Sequence, residues 1–456
     1  MEKRHQLLVI LLLLEAFFLS GRSQSYIGIN YGEEADNLPP ASATAQLLQS
    51  TTIGKVRMYG ADPAIIQALA GTNISLVLGT TNADIPSFAT DPSAASRWVS
   101  ANILPFIPSS SIATVSVGNE ALNSGDPSLA SNLLPAMQNL HSALSSAGST
   151  AASIKVSTVH SMAVLSQSEP PSSGAFHSDL APTLAGVLAF LRDNGSPFMI
   201  NPYPYFAYRD DPRPETLAFC LFQPNSGRFD AGSKITYTNM FDAQVDAIHS
   251  ALNAAGFPDV DIVVAETGWP YRGDPGEAGT TVDNAKAFNG NLVAHLRSMA
   301  GTPLMPGRPV ETYIFALYDE DLKSGPTSER SFGLYRTDLT MNYDAGLSKS
   351  SSGGGSSPSP SQANSMPPPP AGPAAMGQQC VPGTVAQASA DGGPIQCYLP
   401  SAVGSKAPPT MDLLYWIDFL VNRRLRSNGF NVFVMHRTLC FSFSFLFYAT
   451  LSLLLI

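Results

Sequence analysis

The chain has 456 residues, four cysteines and a formal net charge of −10. This acidic balance disfavours nucleic acid and other polyanionic partners, which bind to basic surfaces, whereas a neutral glycan is compatible with it. The length could hold several domains, but a (β/α) barrel alone can occupy about 250 residues. We therefore expect one large domain with tails.

Residues 1–25 have the three regions of a secretory signal peptide. Lys3 and Arg4 provide the positive charge, the apolar stretch 7–14 follows, and small residues lead to a cleavage point near Ser25. The length and flanks of the apolar stretch favour a removable signal over a buried helix of the mature fold. The sequence thus predicts export.

Eight runs rich in β-forming residues alternate with helical patterns between residues 26 and 347. The predicted strands are 26–32, 55–60, 74–80, 112–120, 154–160, 198–206, 261–269 and 311–320. The predicted helices include 43–49, 92–103, 129–147, 180–194, 239–255 and 282–300. Eight alternating units favour an α/β fold of the (β/α)8 TIM barrel type over an open doubly wound sheet. No dinucleotide fingerprint or P-loop follows the first strand, so no nucleotide cofactor is predicted.

Two glutamates lie at the ends of two predicted strands. Glu120 ends the run Ile-Ala-Thr-Val-Ser-Val-Gly-Asn-Glu, and Glu266 lies in Asp-Ile-Val-Val-Ala-Glu-Thr-Gly-Trp-Pro. Because catalytic residues of barrel enzymes collect at the carboxyl ends of the strands, we expect both side chains to face one ligand. Cleavage of a glycosidic bond needs two such acids and neither metal nor cofactor. The pair therefore indicates glycoside hydrolysis, and Asn119 is a candidate donor to a sugar hydroxyl.

Aromatic residues gather at the ends of the predicted strands, where their faces can stack on sugar rings. They are Tyr31, Tyr59, Tyr203, Tyr205, Phe206, Trp269, Phe315 and Tyr318. Each one alone is equally compatible with a place in the core, but as a group they favour a saccharide cleft. A charged cluster of Glu320, Lys323 and Glu329 follows the eighth strand. So many charges close together are typical of a solvated loop. The position of the cluster at the rim leaves a role in the site open.

The cysteines and sequons give predictions about covalent modification. Cys220 is alone inside the predicted barrel, so that domain must be stable without an internal disulfide, as a large core permits. Cys380 and Cys397 are the predicted pair in an oxidising compartment, and the cysteines do not have the spacing of a metal site. Sequons at Asn73 and Asn194 are candidate glycosylation sites, although a proline directly after the second weakens it.

The composition changes after the barrel. Residues 348–378 are rich in Ser, Gly and Pro, which predicts a disordered linker, either bare or O-glycosylated. An irregular segment, 379–438, follows it. The apolar tail 439–456 has three interpretations, namely a lipid-anchor signal, a short membrane span or an uninformative end. Membrane attachment through this tail is therefore one expectation.

The residues around the two glutamates resemble the plant glucan endo-1,3-β-glucosidases of glycoside hydrolase family 17. The motifs that carry the resemblance are Ile27–Gly32, Val56–Tyr59, Val117–Glu120, Asn201–Tyr205, Glu266–Pro270 and Glu329–Gly333. They occur in family order and cover residues 26 to about 345. The resemblance implies a (β/α) barrel that hydrolyses internal 1,3-β-glucosidic bonds in callose-like or fungal-wall glucans with retention of configuration.

The resemblance also implies roles for single residues. Glu266 would be the nucleophile and Glu120 the acid that later acts as the base, with Glu320, Lys323 and Glu329 supporting the cleft. Retention predicts carboxyl groups about 5–5.5 Å apart, against about 6.5–9.5 Å for inversion. The expected setting is extracellular, in the cell wall or on the outer face of the plasma membrane, with a monomer acting on 1,3-β-glucan.

The end of the chain departs from the family pattern. Many plant relatives carry a cysteine-rich glucan-binding module after the barrel, and the tripeptide at 380–382 resembles its beginning. Segment 379–438 is too short and poor in cysteine for the whole module, so a truncated one is the most that we expect. Glucanosyl transfer, or a non-catalytic barrel that binds wall glucan, are the alternatives to hydrolysis, and both defence and callose turnover are open as the process served.

Overall fold

The computed structural model describes residues 26–349 and two short strands, Val385–Gln387 and Gln396–Tyr398. The chain divides into two compact units, residues 1–355 and 356–456. The predicted signal peptide, the apolar tail and nearly all of the predicted linker lie outside the described residues. So does Cys380 of the predicted Cys380–Cys397 disulfide, while Cys397 lies in the second short strand. In the second unit, the two short strands pair in antiparallel fashion.

Eight parallel strands close into a barrel in the first unit. They are β1 (Ile27–Tyr31), β2 (Lys55–Met58), β3 (Ser75–Thr80), β4 (Ser111–Asn119), β5 (Lys155–Ser161), β6 (Phe198–Asn201), β7 (Ile262–Thr267) and β8 (Glu311–Ile314). Each strand pairs with its neighbours in chain order, and β8 closes the ring on β1 with Ile314 opposite Ile29. The predicted (β/α)8 fold class is confirmed.

Helices connect the strands. Those in the described part are α1 (Ala41–Gln49), α2 (Pro63–Ala68), α3 (Ile85–Thr90), α4 (Pro92–Asn102), α5 (Pro127–Ser146), α6 (Ser149–Ala152), α7 (Ala181–Asn194), α8 (Pro204–Asp210), α9 (Pro214–Cys220), α10 (Met240–Ala254) and α11 (Val282–Ser298). The six predicted helices are present with nearly the predicted ends. The helices that the pattern did not predict are short, at four to seven residues.

Three of the helices begin at an Asp-Pro pair. Asp62, Asp91 and Asp126 precede the first residues of α2, α4 and α5, and each carboxylate accepts a hydrogen bond from a backbone N–H in the first turn. The following proline has no N–H to leave unpaired and has the φ angle of a helix. These pairs therefore fix where the helices start.

Two predicted strands, 198–206 and 311–320, are wrong in their second halves, and the latter ends at Ile314. The run 198–206 was expected to be extended, but β6 ends at Asn201 and α8 begins at Pro204. Pro202 and Pro204 cannot donate to a strand ladder, and proline is favoured at the first position of a helix. The chain therefore turns at Tyr203, beside the carboxyl end of the barrel.

Two layers of apolar side chains hold the barrel together. A small cluster with residues from five strands is separate from the main core; its members are Val77, Val159, Met199, Val263, Ala265 and Tyr313. Neighbouring residues such as Ile200 and Val264 instead join the main core. Because successive side chains of a strand point to opposite faces, the small cluster fills the barrel interior and the main core lies between strands and helices. Within the described residues, no helix has the length and apolarity needed to cross a membrane.

Candidate active site

The two glutamates lie at the same end of the barrel. Glu266 is the penultimate residue of β7, and Glu120 follows β4 directly. Glu266 is 7% exposed and Glu120 is partly exposed. The negative charge of Glu266 contributes to the pKa of Glu120, so the two carboxyls interact electrostatically. The parallel barrel thus brings together two residues that are far apart in sequence.

Two side chains hold the Glu266 carboxylate. Nη1 of Arg57, on β2, donates to Oε1 at 2.7 Å, and the Tyr203 hydroxyl donates to Oε2 at 2.9 Å. The Arg57 side chain is 1% exposed, so the ion pair is shielded from water. Charge-assisted bonds of this kind are short and orient the acceptor firmly. Both oxygens of Glu266 are therefore fixed in position.

Arg57 also fixes Asn119. Its Nη2 donates to Oδ1 of Asn119 at 2.8 Å, and the Asn119 amide nitrogen makes no hydrogen bond among the described residues. The Asn119 backbone is bonded on both sides to the Asn82 side chain, which accepts from its N–H at 2.9 Å and donates to its carbonyl at 3.0 Å. Gly118 permits this approach, because a Cβ there would lie 2.4 Å from the Asn82 oxygen. One guanidinium thus couples Glu266 to Asn119.

Glu120 adopts a left-handed backbone conformation, with φ 53° and ψ 30°. Such a conformation is uncommon for a residue with a side chain and often occurs at functional sites. Nδ2 of Asn201, at the end of β6, donates to Oε1 of Glu120 at 2.7 Å. Burial raises the pKa of Glu120, and the charge of Glu266 raises it further, against the opposing effects of the Asn201 hydrogen bond and of Arg57. The surroundings of Glu120 therefore shift it towards its protonated form.

Tyr59 packs over the ion pair. Its ring centroid lies 4.4 Å from the Arg57 guanidinium carbon, within the range of a cation–π contact. Its hydroxyl is buried and has no hydrogen-bond partner among the described residues. Burial and the charge of Glu266 raise the pKa values of both Tyr59 and Tyr203, so both hydroxyls keep their protons. Tyr59 therefore places its protonated hydroxyl close to Glu266.

The predicted aromatic group divides into two sets. Tyr59, Tyr203 and Phe206 are partly exposed. The buried set consists of Tyr31, Tyr205, Trp269, Phe315 and Tyr318. Trp269 is 0% exposed, stacks on Tyr208 and donates from its indole N–H to the Gly279 carbonyl at 2.8 Å. The expectation that Trp269 and Tyr205 stack on a sugar does not agree with this burial, because their faces are covered by other aromatic rings.

The residues of the charged cluster after β8 also differ in their contacts. Lys323 lies 3.6 Å from the buried Glu320 carboxylate and 4.2 Å from the centre of the Phe315 ring. Burial raises the pKa of Glu320, which Lys323 opposes. Gly32 allows Glu320 to approach, since a Cβ there would lie 2.1 Å from the carboxyl group. Glu329 lies on a 3-10 turn, and no ion pair joins it to the site within residues 26–349.

Several residues of the site were not among those predicted. Arg57 lay in the motif Val56–Tyr59. Its signal was an arginine inside an otherwise apolar strand, because an arginine is rarely buried without a partner. Asn201 also lay in a motif, but its bond to Glu120 depends on the closed barrel. Phe332 lay in the motif Glu329–Gly333, whereas Asn82 lay in none of the motifs. Phe332 packs between Tyr203 and Phe315 through tertiary contacts alone.

Comparison with known proteins gives a consistent result. Residues 27–346 match the family model "Glycosyl hydrolases family 17". Glucan endo-1,3-beta-glucosidase 7 of Arabidopsis thaliana is 64% identical over 342 residues, which are 75% of this chain and 68% of the relative. A glucan endo-1,3-beta-D-glucosidase of Olea europaea is 51% identical over 426 residues, or 90% of each chain.

Solved structures agree with the sequence relatives. CJP38, a beta-1,3-glucanase and allergen of Cryptomeria japonica pollen, has 40% identity and a TM-score of 0.66, and the match covers 71% of this chain and 99% of CJP38. A structure from a study of two plant beta-glucan endohydrolases with distinct substrate specificities has 36% identity and a TM-score of 0.63, with 69% and 98% coverage.

A closed parallel barrel with two interacting glutamates at its carboxyl rim, one of them ion-paired, defines a glycoside hydrolase of the barrel type. The chain belongs to glycosyl hydrolases family 17. The resemblance found in the sequence is confirmed, as is the prediction that the protein is a hydrolase.

Proposed function

We propose that this protein hydrolyses internal 1,3-β-glucosidic bonds of glucans by a retaining, double-displacement mechanism. The observation that supports it best is the unlike setting of the two carboxyls, with Glu266 paired to Arg57 and Glu120 favouring its proton. A retaining hydrolase needs an ionised nucleophile and a protonated acid at one bond. Glucan as the substrate is supported by the relatives named above.

In the first step, the protonated Glu120 carboxyl donates its proton to the glycosidic oxygen. The Glu266 carboxylate attacks the anomeric carbon, the bond to the leaving oxygen breaks, and a shortened glucan departs as an alcohol. The product of this step is a glycosyl ester of Glu266. Arg57 and Tyr203 position Glu266 for attack by holding both of its oxygens.

In the second step, the Glu120 carboxylate removes a proton from water, and the water oxygen attacks the anomeric carbon to release Glu266. The first step itself prepares this change of role. Esterification removes the negative charge of Glu266, which is one cause of the raised pKa of Glu120. The pKa of Glu120 is therefore lower in the glycosyl ester, where Glu120 must be deprotonated to act as a base.

Around this pair, the partly exposed groups are the proposed sugar contacts. Asn119 offers its amide N–H to a hydroxyl next to the cleaved bond, and contacts to the 2-hydroxyl strengthen in the transition state. The rings of Tyr59, Tyr203 and Phe206 offer apolar surface to the sugar faces. We assign Tyr31, Phe315, Glu320 and Lys323 to support of the cleft wall.

The proposed setting is extracellular, with the mature enzyme a monomer acting on wall polysaccharide, and attached to the membrane if the tail is an anchor signal. Of the two sequons, Asn73 is exposed, which suits a glycan. The Asn194 amide instead donates to the Phe190 carbonyl at 2.8 Å, and Ser196 is buried. We therefore propose Asn73 as the glycosylated position.

The test is reducing-sugar release from a linear soluble 1,3-β-glucan by the purified protein, with products sized and the anomeric form of the first product read by proton NMR. Short β-anomeric products, lost in Glu266→Gln, are expected. Products longer than the starting chain would indicate glucanosyl transfer instead. Early α-anomeric products would contradict retention, and binding without any cleavage would contradict an enzymatic role.

A further inference from the structure

A cavity of about 300 Å³ lies beside the barrel rim, outside the site described above. Its walls come from the loop 168–171, from α8 and α9, from the hairpin that pairs Arg228–Asp230 with Ile235–Tyr237, and from α10. This volume is at the lower end of the range for small-molecule sites. Neither Glu120 nor Glu266 borders the cavity, so it is a separate feature of the surface.

The carboxylates in the cavity wall are already satisfied. Asp211 accepts two hydrogen bonds from Arg213 and one from Thr216, and Asp230 accepts from the Ser172 hydroxyl and from backbone N–H groups. These bonds hold the pKa of each carboxyl down at about 2. The cavity therefore does not call for a cation to neutralise its acids.

The positive charge in the wall is also occupied. Arg228 donates to the Thr216 hydroxyl at 3.2 Å, lies 4.6 Å from the Phe219 ring centre and has Glu169 at 3.7 Å. Such a guanidinium is held in place by its neighbours and has an acidic residue within reach. An anionic ligand is therefore not favoured over a neutral one.

Two side chains of the wall suit a neutral, hydroxylated ligand. Gln244, on α10, lines the cavity and is partly exposed, and neither its Nε2 nor its buried Oε1 has a hydrogen-bond partner among the described residues. Phe229 borders the cavity and is 64% exposed, so its ring lies where the cavity meets solvent. An exposed aromatic ring next to an unpaired amide is the combination that binds sugars, because the ring covers the C–H face and the amide bonds a hydroxyl.

Helix α8 separates this cavity from the catalytic cleft. Tyr203, just before the helix, bonds Glu266, and Phe206 packs on Tyr203, while Ala207 and Asp211 border the cavity. From Tyr203 to Asp211 a helical rise amounts to about 12 Å. Residues at the cleft and residues in the cavity wall therefore lie along one short helix.

We propose that this cavity, with Phe229 at its mouth and Gln244 in its wall, is an accessory binding site for a pyranose segment of the same 1,3-β-glucan polymer. The proposal rests on the proposed function for the identity of the sugar. The site would hold a long or insoluble glucan close to the cleft without taking part in bond cleavage. Short oligosaccharides that fill only the cleft would not need it.

The experiment compares binding to insoluble 1,3-β-glucan with hydrolysis of a short soluble oligosaccharide. Binding is measured in the Glu266→Gln background so that the polymer is not consumed. We expect Phe229→Ala and Gln244→Leu each to weaken polymer binding roughly three- to tenfold, as for loss of one aromatic or polar contact. In the Glu266-containing protein, kcat/KM on the short oligosaccharide should stay within about twofold, because surface changes have small effects elsewhere.

Two further variants make the result specific. Phe229→Trp keeps an aromatic face and should restore binding, and Met341→Ala removes another exposed apolar side chain and should change nothing. Unchanged polymer binding in both Phe229→Ala and Gln244→Leu, or parallel loss of oligosaccharide cleavage, would overturn the accessory site while leaving the hydrolase intact. Polymer binding that depends on Phe229 in a protein without hydrolysis would instead contradict the proposed function alone.

Discussion

Arg57 and Glu266 form an ion pair at 2.7 Å in which the arginine side chain is 1% exposed. The same guanidinium bonds Asn119, so the proposed nucleophile and the proposed sugar-binding amide share one partner. A buried pair of this kind costs desolvation, and that cost is offset only where the geometry is good and other bonds are made. Its place at the rim therefore indicates that Arg57 positions the reacting groups.

Arg57→Lys should show whether catalysis depends on the charge of Arg57 or on the geometry of its hydrogen bonds. Lysine keeps the positive charge but has no planar fork, so it cannot bond Glu266 and Asn119 together. We expect kcat to fall by roughly 100-fold, comparable to the loss of one preorganised donor, while the protein still folds. Steady-state kinetics and thermal unfolding measure the two effects.

Arg57→Met is the companion to that change. It leaves the buried Glu266 charge without its ion-pair partner, which should lower the free energy of unfolding by about 3 kcal/mol. A lysine variant with wild-type kcat would show that Arg57 supplies charge alone. A methionine variant that unfolds like the wild type would show that Glu266 does not need the pair.

Tyr203→Phe should reduce activity without disturbing the fold. The change removes the 2.9 Å hydrogen bond to Oε2 of Glu266 but keeps the ring, which packs on Phe206 and Phe332. A hydrogen bond to a charged group contributes about 1.5 kcal/mol or more, so kcat should fall about tenfold. The measurement is kcat on soluble glucan at saturating substrate.

Tyr313→Phe is the matched control. It removes the same kind of bond, from a buried tyrosine to the Glu311 carboxylate at 2.7 Å, but at the start of β8, away from the carboxyl rim. It should affect stability and leave kcat unchanged. Equal kcat losses in both tyrosine variants would mean that the effect comes from stability and not from Glu266.

The sequence predicted those features that depend on local signals. Periodicity and turn chemistry placed the strand ends at Glu120 and Glu266 to within a few residues. The same signals placed the long amphipathic helices. Trp269 could not be placed, because an aromatic residue at a strand end can face a cleft or a helix, and here α8 and α11 residues cover it. The contacts of Arg57 and Asn82 arise only when distant strands meet in the closed barrel.

Glu33 should make stability depend on pH. Burial, followed by the charge and hydrogen bond of Asp62 and the charge of Glu320, raises the pKa of Glu33 to about 7. Because the folded-state pKa lies above the unfolded value, the folded protein binds the extra proton between pH of about 4.5 and 7. Stability from this group is therefore present at low pH and is lost as pH rises through about 7.

Glu33→Gln removes this dependence. The unfolding free energy of Glu33→Gln minus that of the wild type should increase by roughly 1 kcal/mol from pH 4.5 to 8. This figure allows for solvent screening at a half-buried position. Chemical denaturation across that range measures it. Glu215→Gln, at an exposed place in α9, controls for loss of one negative charge. Parallel curves for the wild type and Glu33→Gln would contradict the raised pKa.

The pKa of Glu120 should fall when Glu266 loses its charge. In Glu266→Gln, the repulsion that raises the Glu120 pKa disappears, while the positive charge of Arg57, no longer paired, lowers it further. A titration of 13C-labelled glutamate carboxyls by NMR should therefore show a lower midpoint for Glu120 than in the wild type. Glu311→Gln, whose carboxylate pairs with Lys55 instead, should leave the midpoint where it is. A midpoint that stays or rises in Glu266→Gln would mean that burial alone sets the Glu120 pKa, and the exchange of roles between acid and base would then need another cause.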